Sequence, residues 1–127
     1  MKKLKILVAE DDEITRENSI EYLEDIFEDI LEAKDGLEAY ELYKKHSPDI
    51  IISDIQMPKI NGLELIEKIR KEDETTQIII ATAYCSKEYL LKAVELGLVK
   101  YLVKPIDEKE LEIAIDLCCN NLKGSNI

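Results

Sequence analysis

A chain of 127 residues, 46% hydrophobic and 35% charged, has the size and balance of one globular domain that buries its core without disulfide or metal staples. Its 28 acidic against 17 basic residues give a net charge of −11, which argues against binding to a nucleic-acid backbone or an anionic membrane by this chain itself. No stretch approaches the roughly 20 apolar residues of a membrane span, and Met1-Lys2-Lys3 leads into a run too short for a signal peptide, so a soluble cytoplasmic protein is expected.

Strand-like and helix-like runs then alternate along the chain. The first strand is expected at 4–9, where Ile6-Leu7-Val8-Ala9 ends in Glu10-Asp11-Asp12, and a helix follows at 13–26 with Asp12 as its N-cap. Asp29-Ile30-Leu31-Glu32-Ala33 is short and half polar and marks a second strand at 28–33. The next helix, 36–46, opens on Asp35 with Glu38 at capping-box spacing. Ile50-Ile51-Ile52-Ser53 gives a third strand at 49–53, ending in Asp54, and Asn61 with Glu64 starts a helix over 62–72. Ile78-Ile79-Ile80-Ala81 gives a fourth strand at 77–82, ending in Thr82, and the helix at 86–96 stops at Gly97. The third and fourth strands are apolar throughout, as strands covered on both faces are. Tyr101-Leu102-Val103 closes the fifth strand, 99–103, on Lys104-Pro105.

The last helix, 107–121, opens on Asp107 with Glu110, shows one apolar face in Leu111, Ile115, Cys118 and Leu122, and gives way to a polar, frayed Lys123-Gly124-Ser125-Asn126. The three cysteines, Cys85, Cys118 and Cys119, have no Cys-x-x-Cys spacing, and adjacent cysteines rarely meet disulfide geometry. An odd count suits a reducing compartment, and the helical pair reads as core thiols. His46, near a helix end, reads as solvated.

Such alternation implies right-handed crossovers and a parallel sheet with helices on both faces, one domain over 1–127 with its core in 4–121. Sheets of this kind bind ligands beyond the carboxyl ends of their strands, where strand order reverses. Glu10-Asp11-Asp12, Asp54, Thr82 and Lys104 would all open onto that edge. Two carboxylates about 4 Å apart repel by on the order of 4 kcal/mol at an effective dielectric near 20, so such a pocket calls for a cation. Mg2+ fits, because it takes one or two carboxylates and shares phosphate oxygens. Asp54 is then a candidate nucleophile toward a phosphoryl group, with Lys104 neutralising charge and Thr82 donating a hydrogen bond. Singly, each residue has a plain structural reading: an N-cap, a strand-end hydroxyl, a Lys-Pro turn. Together, in this order, they suit phosphoryl transfer.

With these residues in place, the sequence resembles the receiver domain of two-component response regulators over essentially all of 4–121. The matching stretches are Ile6 to Asp12, Asp54-Ile55-Gln56-Met57-Pro58 leading to Asn61-Gly62-Leu63-Glu64-Leu65, Thr82-Ala83, and Tyr101-Leu102-Val103-Lys104-Pro105. The resemblance, and not the runs themselves, implies a flavodoxin-like (βα)5 three-layer sandwich with strand order 2-1-3-4-5. It implies that Asp54 accepts a phosphoryl group from a sensor histidine kinase. Mg2+ would be held by Asp11 directly, by Glu10, by Asp54 and by the backbone carbonyl of Gln56. The acid run leaves its register open by one residue. Glu10-Asp11 is favoured as the metal pair because it directly follows Val8-Ala9, with Asp12 as the alternative to Glu10.

The family pattern further implies a cis bond before Pro105 and a switch in which Thr82 moves inward and Tyr101 follows. That switch would reshape the face of the fourth helix, fifth strand and fifth helix for a downstream protein or an output domain. Tyr101 also reads simply as a half-buried strand aromatic. Gln56 and Tyr84 occupy variable positions that set phosphoryl lifetime, and a bulky Tyr84 is expected to lengthen it. Gly97 to Tyr101 lacks the paired acids of the winged-helix transcription-factor branch, and Ile106 stands where Phe is more usual. Turnover of a metabolite is not expected, only self-phosphorylation and slow hydrolysis. A dehalogenase-like phosphatase would need an acid where Gln56 stands, and a flavin-type phosphate loop would not be acidic as Glu10 to Glu13 is. A receiver that no longer takes phosphate would lack one of the key positions, and all are filled. The sequence fits a stand-alone receiver and a piece of a longer regulator equally well.

Overall fold

Runs of isoleucine and valine set the sheet, because β-branched side chains pack well on a pleated surface covered from both sides. In the computed structural model, which describes residues 3–84 and 86–124, these runs form β1 (Lys5–Ala9), β3 (Ile50–Ser53) and β4 (Gln77–Thr82). β2 (Asp29–Ala33) and β5 (Lys100–Val103) complete a five-stranded parallel sheet in the order β2-β1-β3-β4-β5. Cys85 and the tail from Ser125 lie outside the described residues. The helices between and after the strands are α1 (Glu13–Glu24), α2 (Gly36–His46), α3 (Gly62–Arg70), α4 (Lys87–Glu95) and α5 (Glu108–Gly124).

Alternate residues of each strand face opposite layers, which is the pleat's period of two. Leu7, Ile51, Ile78 and Ile80 pack with Ala39 and Tyr43 of α2, Leu65, Ile66 and Ile69 of α3, and Ala93 of α4. Ile6, Val8, Ile50, Ile52 and Ile79 pack instead with Leu23 of α1 and Leu111, Ala114, Ile115 and Cys118 of α5. Each such Ile or Leu contributes about 1.5–3 kcal/mol by leaving water. Cys118 is a core thiol, which burial pushes up to about 12.

Strand register aligns the polar ends. Ala9 pairs with Ser53, so Glu10 and Asp54 leave the sheet side by side. Thr82 pairs with Val103, so Lys104 emerges beside it. The ladders run one step further, with the Asp54 amide donating to Ala9 O at 3.0 Å and the Lys104 amide to Thr82 O at 2.8 Å.

Local signals set most helix ends. Asn61 and Glu64 form a reciprocal capping box at α3. At α2, Asp35 accepts from the Glu38 amide, but the Glu38 carboxylate reaches past the cap to the Lys34 amide at 2.9 Å. At α5, Asp107 takes the Lys109 amide at 2.8 Å, one position short of Glu110. Gly97, with φ 81°, ends α4 in a Schellman motif: its amide donates to Val94 O and that of Leu98 to Ala93 O. α1 stops two residues before the expected 26. α5 passes 121 to Gly124, because Leu122 still packs on the core and Asn121 bonds Gln77 across the gap.

Candidate functional site

Four strand ends meet at the carboxyl edge of the sheet. Glu10 follows β1 and is buried; Asp54 follows β3 and is 8% exposed; Thr82 ends β4 with no exposure; Lys104 follows β5, and its bond to Pro105 is cis. The Lys104 ammonium donates to Asp54 Oδ2 at 2.7 Å and makes a very short contact with Glu10 Oε1. One cation therefore bridges two carboxylates that strand pairing has forced together and offsets one of their two charges. Burial alone would lower the Lys104 pKa, yet its hydrogen bonds to Asp54 and Glu10 outweigh that and raise it. Burial raises the Glu10 carboxyl, against the opposing pull of Lys104.

The three-acid run divides by role. Glu10, Asp11 and Asp54 each turn one carboxylate oxygen into a shared space, with those oxygens all within 4.8 Å of one another. Asp12 turns away and caps α1: its carboxylate takes the Thr15 amide at 2.9 Å and hydroxyl at 2.6 Å, and the hydroxyl bond holds it below the usual carboxylate range. Three hard oxygen donors at this spacing fit Mg2+, which needs few protein ligands and keeps several waters.

Local bonds fix these side chains. The Glu10 carboxylate accepts from the Asp12 amide at 3.1 Å. Arg16, on the first turn of α1, donates to Glu10 O at 2.8 Å and to Glu32 at 3.1 Å. Asp54 Oδ1 accepts from the Gln56 amide at 3.1 Å, so the peptide entering Gln56 flanks the carboxylate. Gly62 is there because the chain returns to Asp54: a Cβ would stand 2.0 Å from the Asp54 carbonyl oxygen.

Thr82 ends β4, the strand beside β3, and its hydroxyl accepts from the Tyr84 amide at 3.2 Å. Tyr101 sits apart from the carboxylates on edge strand β5. Its hydroxyl donates to Tyr84 O at 2.8 Å, which ties it to the loop that Thr82 begins. The Tyr84 ring leans on Tyr89 with centroids 5.1 Å apart. Arg16 and the close approach at Gly62 were not anticipated from the sequence. Both depend on contacts between segments that only the fold brings together.

The family model for the response regulator receiver domain matches residues 6–116. The chain is 36% identical over 116 residues to the sensory transduction protein LytT of Oceanobacillus iheyensis, covering 90% of this chain and 47% of that protein. It thus spans about half the length of the curated relatives it matches. Among solved structures, the N-terminal domain of an uncharacterized protein from Wolinella succinogenes superposes with a TM-score of 0.89 at 35% identity, covering 98% of this chain and 99% of that one. The CheY of a CheX–CheY–BeF3–Mg2+ complex from Borrelia burgdorferi superposes with a TM-score of 0.82 at 26% identity, over 88% of this chain and 86% of that one. The strand order, the acidic pocket and the family match agree: this chain belongs to the receiver domains of two-component response regulators, which are signalling domains.

Proposed function

We propose that Asp54 is the phosphoacceptor of this receiver, charged by a sensor histidine kinase. The observation that carries this reading is the pairing of Asp54 with Lys104 at 2.7 Å inside a group of three carboxylates. An Asp54 oxygen attacks phosphorus, the P–N bond of the donor phosphohistidine breaks with its electron pair returning to the imidazole, and an acyl phosphate forms on Asp54. Lys104 holds the nucleophile's neighbour oxygen beforehand and turns to a phosphoryl oxygen afterwards. The Thr82 hydroxyl has its acceptor site taken by the Tyr84 amide, which leaves its proton for a second phosphoryl oxygen.

Glu10, Asp11, Asp54 and the backbone carbonyl of Gln56 would hold Mg2+. When bound, the ion supplies positive charge to the phosphoryl oxygens and offsets the carboxylates' repulsion. Similarity to a CheY crystallised with BeF3 and Mg2+ supports that choice of ion. Movement of Thr82 pulls on the loop through Tyr84, and Tyr101 feels it because its hydroxyl is bonded to that loop. The α4–β5–α5 face then changes for a downstream protein or an output domain. Hydrolysis resets the switch slowly, and the role is a cytoplasmic one with no DNA contact by this chain. No helix among the described residues is long and apolar enough to cross a membrane.

The test is intact-protein mass after incubation with acetyl phosphate and Mg2+. One phosphoryl adduct is expected on the wild type, and none on Asp54→Ala or in the absence of metal. An equal adduct on Asp54→Ala would overturn the assignment.

A further inference from the structure

The loop from β3 to α3 contains a backbone conformation that side chains rarely adopt. Lys59 has φ 69°, and the Ile60 amide donates to Pro58 O at 2.9 Å, so residues 58–60 close a three-residue turn around Lys59. A three-residue turn with a positive central φ is rare and strained, and glycine would sit there more easily than lysine. Strain of this kind persists only where the surroundings over-determine it.

The surroundings here are the start of α2. A Cβ on Gly36 would stand 1.9 Å from the Ile60 carbonyl oxygen, so the first turn of α2 lies directly against the loop backbone. Lys59 Nζ lies 3.5 Å from Asp35 Oδ2, while Asp35 Oδ1 accepts from the Glu38 amide at 2.8 Å. The Asp35 side chain is only 7% exposed, so its orientation is fixed. The other end of the same loop is tied to the phosphoacceptor. The Gln56 amide donates to Asp54 Oδ1, and the Gly62 amide donates to Ile55 O at 2.8 Å.

We propose that Asp35 and Lys59 are positioning residues for the metal site: the start of α2 clamps the strained turn and thereby holds the Gln56 peptide and the Asp54 carboxylate in place for Mg2+. The inference rests on the reading that Asp54 and the Gln56 carbonyl are Mg2+ ligands. Partners that orient ligands typically change metal affinity ten- to a hundredfold. Lys59 is 61% exposed, and exposed ion pairs are weak, so an effect of about three- to tenfold is expected.

Two variants separate positioning from folding. Lys59→Gly relieves the positive φ and removes the ion pair, and Asp35→Asn keeps an N-cap oxygen but removes the charge. Mg2+ titration of the full chain, followed by the Asp54 and Gln56 amide resonances, is paired with thermal unfolding without metal. Both variants are expected to bind Mg2+ about three- to tenfold more weakly, with Lys59→Gly melting no lower than wild type and Lys59→Arg restoring affinity. Unchanged affinity in both variants, or a loss that tracks a lower melting temperature in Lys59→Gly, would overturn the inference alone. A wild-type chain that binds no Mg2+ would overturn the metal reading and this inference with it.

Discussion

Lys104 offsets part of the negative charge of the pocket, and its removal separates two effects that Mg2+ would otherwise combine. Its side chain is 17% exposed and bridges Glu10 and Asp54. Lys104→Ala leaves two adjacent carboxylates without an internal cation. Mg2+ should bind the variant more tightly, because the competing ammonium is gone. Phosphorylation should slow on the order of a hundredfold, because a positioned donor to developing phosphoryl charge is lost. Metal titration and the time course of adduct formation with acetyl phosphate read both. A variant phosphorylated at the wild-type rate would remove Lys104 from the chemistry. At this scale the sequence left the acid run open by one residue, favouring Glu10-Asp11 as the metal pair and Asp12 as the cap of the first helix. The turn into α1 shows Asp12 as that cap, its carboxylate occupied by Thr15.

The joint between α3 and β4 depends on Asp73. Its carboxylate accepts from the Thr75 amide and hydroxyl at 2.8 Å, from the Thr76 amide at 3.1 Å and hydroxyl at closer range, and from the Tyr43 hydroxyl at 3.1 Å. Partial burial pushes the Asp73 carboxyl up, but these donors outweigh it and hold the group well below its ordinary 3.8. Burial and the Asp73 hydrogen bond push the Tyr43 phenol up to about 12. A carboxyl depressed on folding adds stability that is present above its unfolded value and lost as pH falls toward the folded one. Asp73→Asn should therefore cost on the order of 1.5–3 kcal/mol at pH 7, with the gap to wild type narrowing below about pH 4. Urea unfolding at pH 7 and pH 3 checks this, and a gap independent of pH would exclude Asp73 as the acid-sensitive group. Helix starts were legible because caps are local signals. Asp73 and Arg70 were not. Arg70 in α3 donates to Leu96 O at 2.6 Å and to Gly97 O at 3.1 Å at the end of α4, partners 26 and 27 residues away.

For the whole molecule, the convergence of Glu10, Asp54, Thr82 and Lys104 on one sheet edge was readable from apolar runs that each end in a polar group. Which strands adjoin was not readable from the runs, and came with the family resemblance. The strained turn at Lys59 left no mark in Met57-Pro58-Lys59-Ile60, since nothing in those residue types demands a positive φ. Its reason is the distant Gly36, which only the folded chain supplies. The proposed switch stands on where the phosphoryl group goes. The most direct measurement is to phosphorylate the protein with acetyl phosphate and Mg2+, reduce it with borohydride, and locate the modified residue by tandem mass spectrometry. An acyl phosphate on Asp54 predicts homoserine at position 54. Homoserine at position 11, 2-amino-5-hydroxypentanoic acid at position 10, or unmodified peptides from protein shown to be folded, would contradict it.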